Sequence, residues 1–274
     1  MRGDVPRQRE LFAGSDAYER FMGRWSRGLA PLLTQFASVG GQDSVLDVGS
    51  GTGALAFSIA ETSPLVRVTG VDPSAAYVRD AQARTPNDQV RLVSFMVGDA
   101  QALHSPDASF DKTLSLLVMN FIPDPAKALR EMIRVTRPGG VVSAAVWDYG
   151  DGMEMLRVFW DEAVAIDSTI APRDERHMPL CKRGELTALW RANGLQEVAE
   201  QAIAIELPFD SFDDYWSPFL GGQGPAGAYA AALSETTCAA LASRLRKRLL
   251  GERQDGAFTL QARAWAVKGV VAAR

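Results

Sequence analysis

From Ser15 to Phe36 apolar side chains recur at spacings of three and four, at Tyr18, Phe21, Met22, Trp25 and Leu29, the period of a helix with one buried face. Beyond it the period shortens. Apolar and β-branched runs at 44–48 (SVLDV), 66–71 (VRVTGV), 91–96 (RLVSFM), 111–117 (DKTLSLL) and 141–147 (VVSAAVW) predict strands, separated by helical stretches at about 52–62, 74–84 and 125–136. The last of these helices opens on Asp124 as N-cap with Pro125 in its first turn, and stops before Pro138-Gly139-Gly140. Strands alternating with helices predict a parallel sheet wrapped by right-handed crossovers. After Trp147 the alternation changes: 153–167 and 183–193 read as helices, and 198–207 and 257–268 as strands. Between those strands, 211–250 is aromatic first and then helical, broken at Gly221-Gly222-Gln223-Gly224-Pro225, a run too rich in glycine to predict helix. It reads as an insertion over a site rather than a domain with its own core.

The pattern therefore predicts one domain over 1–274: a helical cap at 15–40, a core at 41–150, and further helices, the insertion and terminal strands at 151–274, with residues 1–13 polar and outside any element. A chain of 274 residues with 47% hydrophobic side chains can bury a sizeable core. The formal charge of -4 argues against wide phosphate contacts, so nucleic acid is not the expected partner. Two cysteines, Cys181 and Cys238, lack metal-ligand spacing; no metal site and no disulfide framework are expected, and a reducing cytoplasm fits. The sequence MRGDVPRQRE has no apolar signal core, and no stretch approaches the roughly 18–20 apolar residues that span a bilayer, so membrane insertion is not expected. Oligomeric state leaves no mark in the pattern.

Candidate chemistry begins at Val45-Leu46-Asp47-Val48-Gly49-Ser50-Gly51-Thr52-Gly53, where a buried strand enters a glycine-rich turn that opens a helix. Glycines let the backbone approach a ligand, and the helix start offers free N–H groups. Gly49, Gly51 and Ala54 also satisfy G-x-G-x-x-A, so the turn alone leaves a dinucleotide site open. Asp72 ends the second strand, where a carboxylate can accept both ribose hydroxyls of an adenosine. Gly98-Asp99-Ala100 follows the third strand, and Phe110-Asp111 begins the fourth.

This ordered set resembles the class I S-adenosylmethionine-dependent methyltransferases, in particular their ubiquinone/menaquinone-biosynthesis-like branch. The resemblance rests on VLDVGSGTG, GVDPS, GDAQAL, FDKTLSLLVMNFIPDP, ALREMIRVTRPGG and the N-terminal YERFMGRWS, and covers about 15–150 well. It implies a Rossmann-like α/β fold: a seven-stranded, mostly parallel sheet with helices on both faces and an antiparallel final strand. It implies S-adenosyl-L-methionine as cofactor, with Gly49, Ser50 and Gly51 at its methionine end, Asp72 (followed by Pro73) on the ribose, and Asp99, Ala100 and Gln101 at the adenine. Leu117 would lie beside the sulfonium, while Tyr18, Met22, Arg24 and Trp25 would close over the site. An ordinary apolar helix face accounts equally for Tyr18, Met22 and Trp25, and Arg24, which could pair the cofactor carboxylate, reads rather as facing water.

The implied reaction is an in-line methyl transfer to a small-molecule acceptor. Asn120-Phe121-Ile122-Pro123 replaces the Asn-Pro-Pro-aromatic signature of nucleic-acid N-methyltransferases. Trp147 and Tyr149, at the edge where open sheets bind ligands, together with Asn120, Trp160, Trp216 and Phe219, are candidates for the acceptor pocket, against the alternative of plain core packing. No clear general base stands out; Asn120, Asp148 and His177 are the candidates. Two other readings stay open: a non-catalytic S-adenosylmethionine-binding protein, and a nicotinamide-dependent oxidoreductase, which should carry a hydride-transfer motif such as Tyr-x-x-x-Lys that this sequence lacks.

Overall fold

The computed structural model describes residues 15–90 and 92–273. The polar segment 1–13 lies outside the described residues, as does Arg91 at the start of the third predicted strand. Seven strands form one sheet: β1 Ser44–Val48, β2 Arg67–Asp72, β3 Val93–Val97, β4 Phe110–Leu116, β5 Thr136–Trp147, β6 Gln196–Phe209 and β7 Phe258–Val270, in the order β3-β2-β1-β4-β5-β7-β6. Strands β1 to β5 pair in parallel. Strand β7 is antiparallel to both β5 and β6, so it alone opposes the other six.

The order explains the layers. The chain moves outward from β1 through β2 to β3 and, in the opposite direction, from β4 to β5. Right-handed crossovers therefore place α3 (Ala54–Thr62) and α4 (Ala75–Arg84) on one face and α5 (Pro125–Val135) on the other. The reversal falls between β1 and β4, where the loops at their carboxyl ends part and leave a crevice. Val45, Leu46 and Val48 of β1 and Leu114 of β4 are fully buried, as a central parallel strand covered on both faces requires. Asp124 caps α5 as expected, its carboxylate accepting the Lys127 N–H at 2.8 Å.

The N-terminal helical region is interrupted. Helix α1 (Ser15–Tyr18) passes through a π-helical turn, Glu19–Gly23, into α2 (Arg24–Phe36). A Cβ on Gly23 would meet the Glu19 carboxylate at 2.5 Å, so glycine is what lets Glu19 fold back against its own helix. After β5 come α6 (Glu154–Ile166), short 3₁₀ turns at Ser168–Arg173 and Glu175–His177, and α7 (Glu185–Ala192). The Trp190 indole N–H of α7 donates to the Val142 carbonyl at 3.0 Å and ties the helix to β5.

Between β6 and β7 lie α8 (Phe212–Trp216), a 3₁₀ turn Ser217–Gly221, α9 (Gly224–Ala231) and α10 (Glu235–Leu250). Here the glycine run breaks the helices at Gly222-Gln223 as expected, and its last two residues open α9. Gly222, ahead of α9, and Gly224, its first residue, take φ of +74° and +65°, and Pro225 sits in its first turn, where no N–H is missed. Within α9, a Cβ on Gly227 would lie 3.2 Å from the Phe219 carbonyl, so a glycine there packs the helix against the preceding turn.

Candidate functional site

The carboxyl end of β1 runs into a turn with φ of +76° at Gly49, +53° at Gly51 and +93° at Gly53. The Gly49 and Ser50 amides both donate to the Val71 carbonyl, at 2.7 and 3.0 Å, folding the turn over the end of β2. Only glycine fits at 49, since a Cβ would meet Val118 at 2.5 Å. Asp72 closes β2. Its buried carboxylate accepts the Gly51 N–H at 2.9 Å and the Ser74 N–H at 2.8 Å, so one side chain holds both loops. After β3, exposed Asp99 accepts the Gln101 backbone N–H at 2.8 Å, and the Gln101 side-chain carbonyl accepts the Asp124 N–H at 3.1 Å. Leu117, just past β4, holds a left-handed φ of +62°, a strained conformation for a branched side chain and one that clusters at functional sites.

These loops surround a cavity of about 740 Å³. Gly49, Ser50, Gly51, Asp72 and Pro73 line it from β1 and β2, and Asp99, Ala100, Gln101 and Leu117 from β3 and β4. Tyr18, Phe21, Met22 and Ser26 of the N-terminal region cover it, and Phe121, Trp147 and Tyr149 add an aromatic wall. The cover is anchored through Glu19, which accepts from the Thr52 hydroxyl of the glycine turn, from Arg27 and, at 3.1 Å, from Arg84. Burial raises the Glu19 carboxyl pKa, but these donors outweigh it and hold the group below its ordinary value.

Charge inside the cavity is unusual. Asp47 is 1% exposed, lines the cavity, and neither of its oxygens has a partner in hydrogen-bond geometry. Burial, with the nearby Asp72 charge, pushes its pKa up to about 7, and the Ala56 amide opposes this only in part. Burial also raises Asp72, opposed by its Ser74 and Gly51 donors. Two carboxylates in one desolvated pocket call for a cationic or donor-rich ligand.

The comparisons with known proteins decide the family. Residues 46–144 match the model described as a methyltransferase domain. The chain is 30% identical over 199 residues to an uncharacterized protein of Mycobacterium bovis, covering 70% of each chain. It is 32% identical over 162 residues to the 2-methyl-6-phytyl-1,4-hydroquinone methyltransferase of Synechocystis sp., covering 59% of this chain and 48% of that one. It is 33% identical over 128 residues to the demethylmenaquinone methyltransferase of Renibacterium salmoninarum, covering 47% and 51% respectively. The chain thus spans about half the length of these two named relatives. Phosphoethanolamine N-methyltransferase 2 of Haemonchus contortus, solved with S-adenosyl-L-methionine, shares the fold with a TM-score of 0.60 at 20% identity, over 99% of this chain and 61% of that one.

The chain belongs to the class I S-adenosylmethionine-dependent methyltransferases. The family's cofactor, S-adenosylmethionine, finds a fitting site in this methyltransferase: a glycine cradle that a Cβ would obstruct, two buried carboxylates, and an unpartnered Ser50 hydroxyl.

Several expected residues do not reach the cavity of the methyltransferase. Arg24 forms a two-point ion pair with Asp214 at 2.9 and 3.0 Å and lies 4.1 Å over the Trp25 ring, so it is committed away from any ligand. Trp25 packs edge-on against Phe209, with ring centroids 5.3 Å apart. Phe219 stacks on Phe159 at 4.5 Å, with Trp216 beside it, and the Trp160 indole donates to Glu175; these three are core beneath the cover rather than acceptor wall. Asn120 is buried beside Tyr149, outside the cavity lining. The Asp148 carboxylate is held by Arg263 at 2.9 Å and by the Asp151 N–H, and His177 is exposed, so neither is placed to act as a base.

Two lining acids escaped the sequence reading. Asp47 looked like an ordinary residue of the β1 motif. Glu175 lies in the charged run RDERHMP, which reads as a solvated surface; instead it is 4% exposed and lines the cavity. Its inward turn depends on Arg157, from α6, pairing Asp174, a long-range contact that no local pattern announces.

Proposed function

We propose that this protein transfers a methyl group from S-adenosylmethionine to a small, ring-bearing acceptor held against Trp147 and Tyr149. The observation that carries this reading is the single cavity joining the glycine turn and Asp72 to an aromatic wall. The hydroquinone named for the Synechocystis relative is a ring compound of the kind such a wall accommodates. None of the helices among the described residues is long and apolar enough to cross a membrane.

In this reading the Gly49, Ser50 and Gly51 backbone receives the methionine end of the cofactor, and Asp47 faces its ammonium. Asp72 accepts from the ribose, Asp99 accepts from the adenine amino group, and Ala100 N–H donates to the ring, with Pro73 and Gln101 flanking it. Leu117 packs beside the sulfur. When bound, the cofactor supplies an electrophilic methyl carbon, so the chain needs no nucleophile of its own. Its residues align the acceptor and exclude water, contributions worth about 7–11 kcal/mol in favourable cases. Tyr18, Phe21 and Met22 supply the cover.

Titration calorimetry with S-adenosylhomocysteine and NAD, followed by mass spectrometry of reactions with hydroquinones, phenols and amines, tests the reading. Binding of S-adenosylhomocysteine with methylated product supports it. Tighter binding of NAD overturns it, and cofactor binding without turnover on any ring compound points to a sensor or scaffold.

A further inference from the structure

Four carboxylates line the cavity. Asp47, Asp72 and Asp99 come from the loops after β1, β2 and β3. Glu175 comes from beyond β5, in a 3₁₀ turn between α6 and α7, and shares the cavity with Tyr149, Trp147 and Pro225.

Its surroundings separate it from the other acids of its neighbourhood. Asp174 pairs with Arg157 and Arg176, Asp161 with Arg176 and Arg248, and Asp148 with Arg263. Glu175 has no ion pair among the described residues. One of its oxygens accepts the Trp160 indole N–H at 2.8 Å, and the ion pairs of Asp174 fix the turn on either side of it. A buried acid without an ion pair of its own costs stability even with the Trp160 donor, and a chain that only needed to fill this space would do better with an apolar side chain. A placement fixed by neighbouring ion pairs, burial, and a place in the cavity lining with Trp147 and Tyr149 are the attributes of a proton-accepting group.

We propose that Glu175 is the general base of the transfer and that the acceptor presents it with a phenolic O–H. The proposal rests on the methyltransferase reading above. The acceptor's proton passes to the Glu175 carboxylate. The electron pair left on the phenolate forms the new bond to the methyl carbon, the carbon–sulfur pair leaves with sulfur, and Glu175 returns its proton to water once product departs. Acid strength selects the class. Burial, aided by Asp174 and opposed by the Trp160 N–H, the Arg157 charge and the Ala226 amide, pushes Glu175 up to about 7. A phenol of the tyrosine kind ionises near about 10, within reach of such a base, whereas an aliphatic alcohol is far too weak an acid. Around Glu175, burial raises Tyr149 and Cys181 away from neutrality, while Asp174 and Arg157 pair with each other and Asp148 with Arg263. Asp47, elsewhere in the same cavity, also rises to about 7, so the Trp160 indole, which bonds Glu175 itself, is the probe that tells the two acids apart.

The test uses the full chain loaded with S-adenosylhomocysteine, with methylhydroquinone as probe and its dimethyl ether as a control without the acidic proton. The Trp160 indole N–H resonance should titrate across neutrality in the wild type and stay flat in Glu175→Gln, which keeps an acceptor for the indole. Methylhydroquinone should bind the wild type roughly ten- to hundredfold more tightly than the variant, the range of one lost hydrogen bond to a charged group. The dimethyl ether should not distinguish the two, and exposed His177→Gln should behave as wild type. Equal methylhydroquinone affinity in Glu175→Gln, or a Trp160 resonance indifferent to pH, overturns the proposal. Unaltered S-adenosylhomocysteine affinity in Glu175→Gln shows that the variant is folded. Loss of that affinity in the wild type itself would bring down the methyltransferase reading instead.

Discussion

Asp72 carries more than its proposed ribose contact, because the Gly51 and Ser74 amides already depend on it in the free protein. Asp72→Ala should therefore weaken S-adenosylhomocysteine binding by about 1.5–3 kcal/mol, measured by calorimetry, since an acceptor of charge-assisted hydrogen bonds is lost. Unchanged affinity would place the ribose elsewhere. Asp47 answers a different question. Its folded pKa is raised to about 7 from an ordinary 3.8, so the native state holds a proton that the unfolded chain has released. Stability then falls as pH rises through that window, and the penalty is complete above it. Asp47→Asn should raise the melting temperature in alkaline buffer, by a free energy on the order of 1–3 kcal/mol, and the gain should vanish in acid where the wild-type carboxyl is protonated. The same variant should bind S-adenosylhomocysteine more weakly. A stability gain that ignores pH would show that Asp47 does not titrate as described. Asp72 was legible in the sequence because it ends a strand beside a glycine turn. The perturbation of Asp47 was not, because desolvation comes from the packing of distant segments.

At the scale of elements, the two segments that cover the site touch each other. Phe21 in the π-helical turn meets Phe219 edge-on, with centroids 5.0 Å apart, and Arg24 of α2 pairs with Asp214 of α8. The 3.6-residue period revealed the helix but not its π-helical turn, which depends on where Glu19 finds Thr52 and Arg84. Likewise glycine content places the break at Gly222-Gln223 but not the helix that starts at Gly224 with a positive φ, nor the tight contact of Gly227 within it. The contacts predict that cover and insertion respond as one unit. Amide exchange at 15–27 and 211–227 should slow together when S-adenosylhomocysteine is added, while 44–48 stays protected throughout. Arg24→Ala should speed exchange in both segments with little effect on global stability, since the pair is partly exposed. If 15–27 is as protected as β1 before ligand is added, the cover is static core. If only 211–227 responds, the gate is the insertion alone.

For the whole molecule, periodicity yields strands but not their order. The final hairpin of β6 and β7 came from family resemblance, because nothing in an apolar alternation states which edge a strand joins. The observed order makes a thermodynamic prediction. Strand β7 bonds to β5 along Val141–Trp147 and to β6 along its own length, Trp190 of α7 donates to Val142, and the cover reaches across from α2 to α8. No segment of the described chain stands apart from the sheet that forms the cofactor crevice, so we propose that cap, core and insertion unfold together. Saturation with S-adenosylhomocysteine at a hundred times its dissociation constant should add about 2.7 kcal/mol to the stability of the folded state. For a domain of about this size each kcal/mol moves the midpoint by about 2–4 °C, which predicts a single calorimetric transition shifted upward by roughly 5–11 °C. A second transition that stays in place as ligand is added would mark part of the chain, most readily the insertion with α10, as a separate unit. A single transition with no shift would mean that the ligand does not enter the crevice, whatever the likeness of the fold.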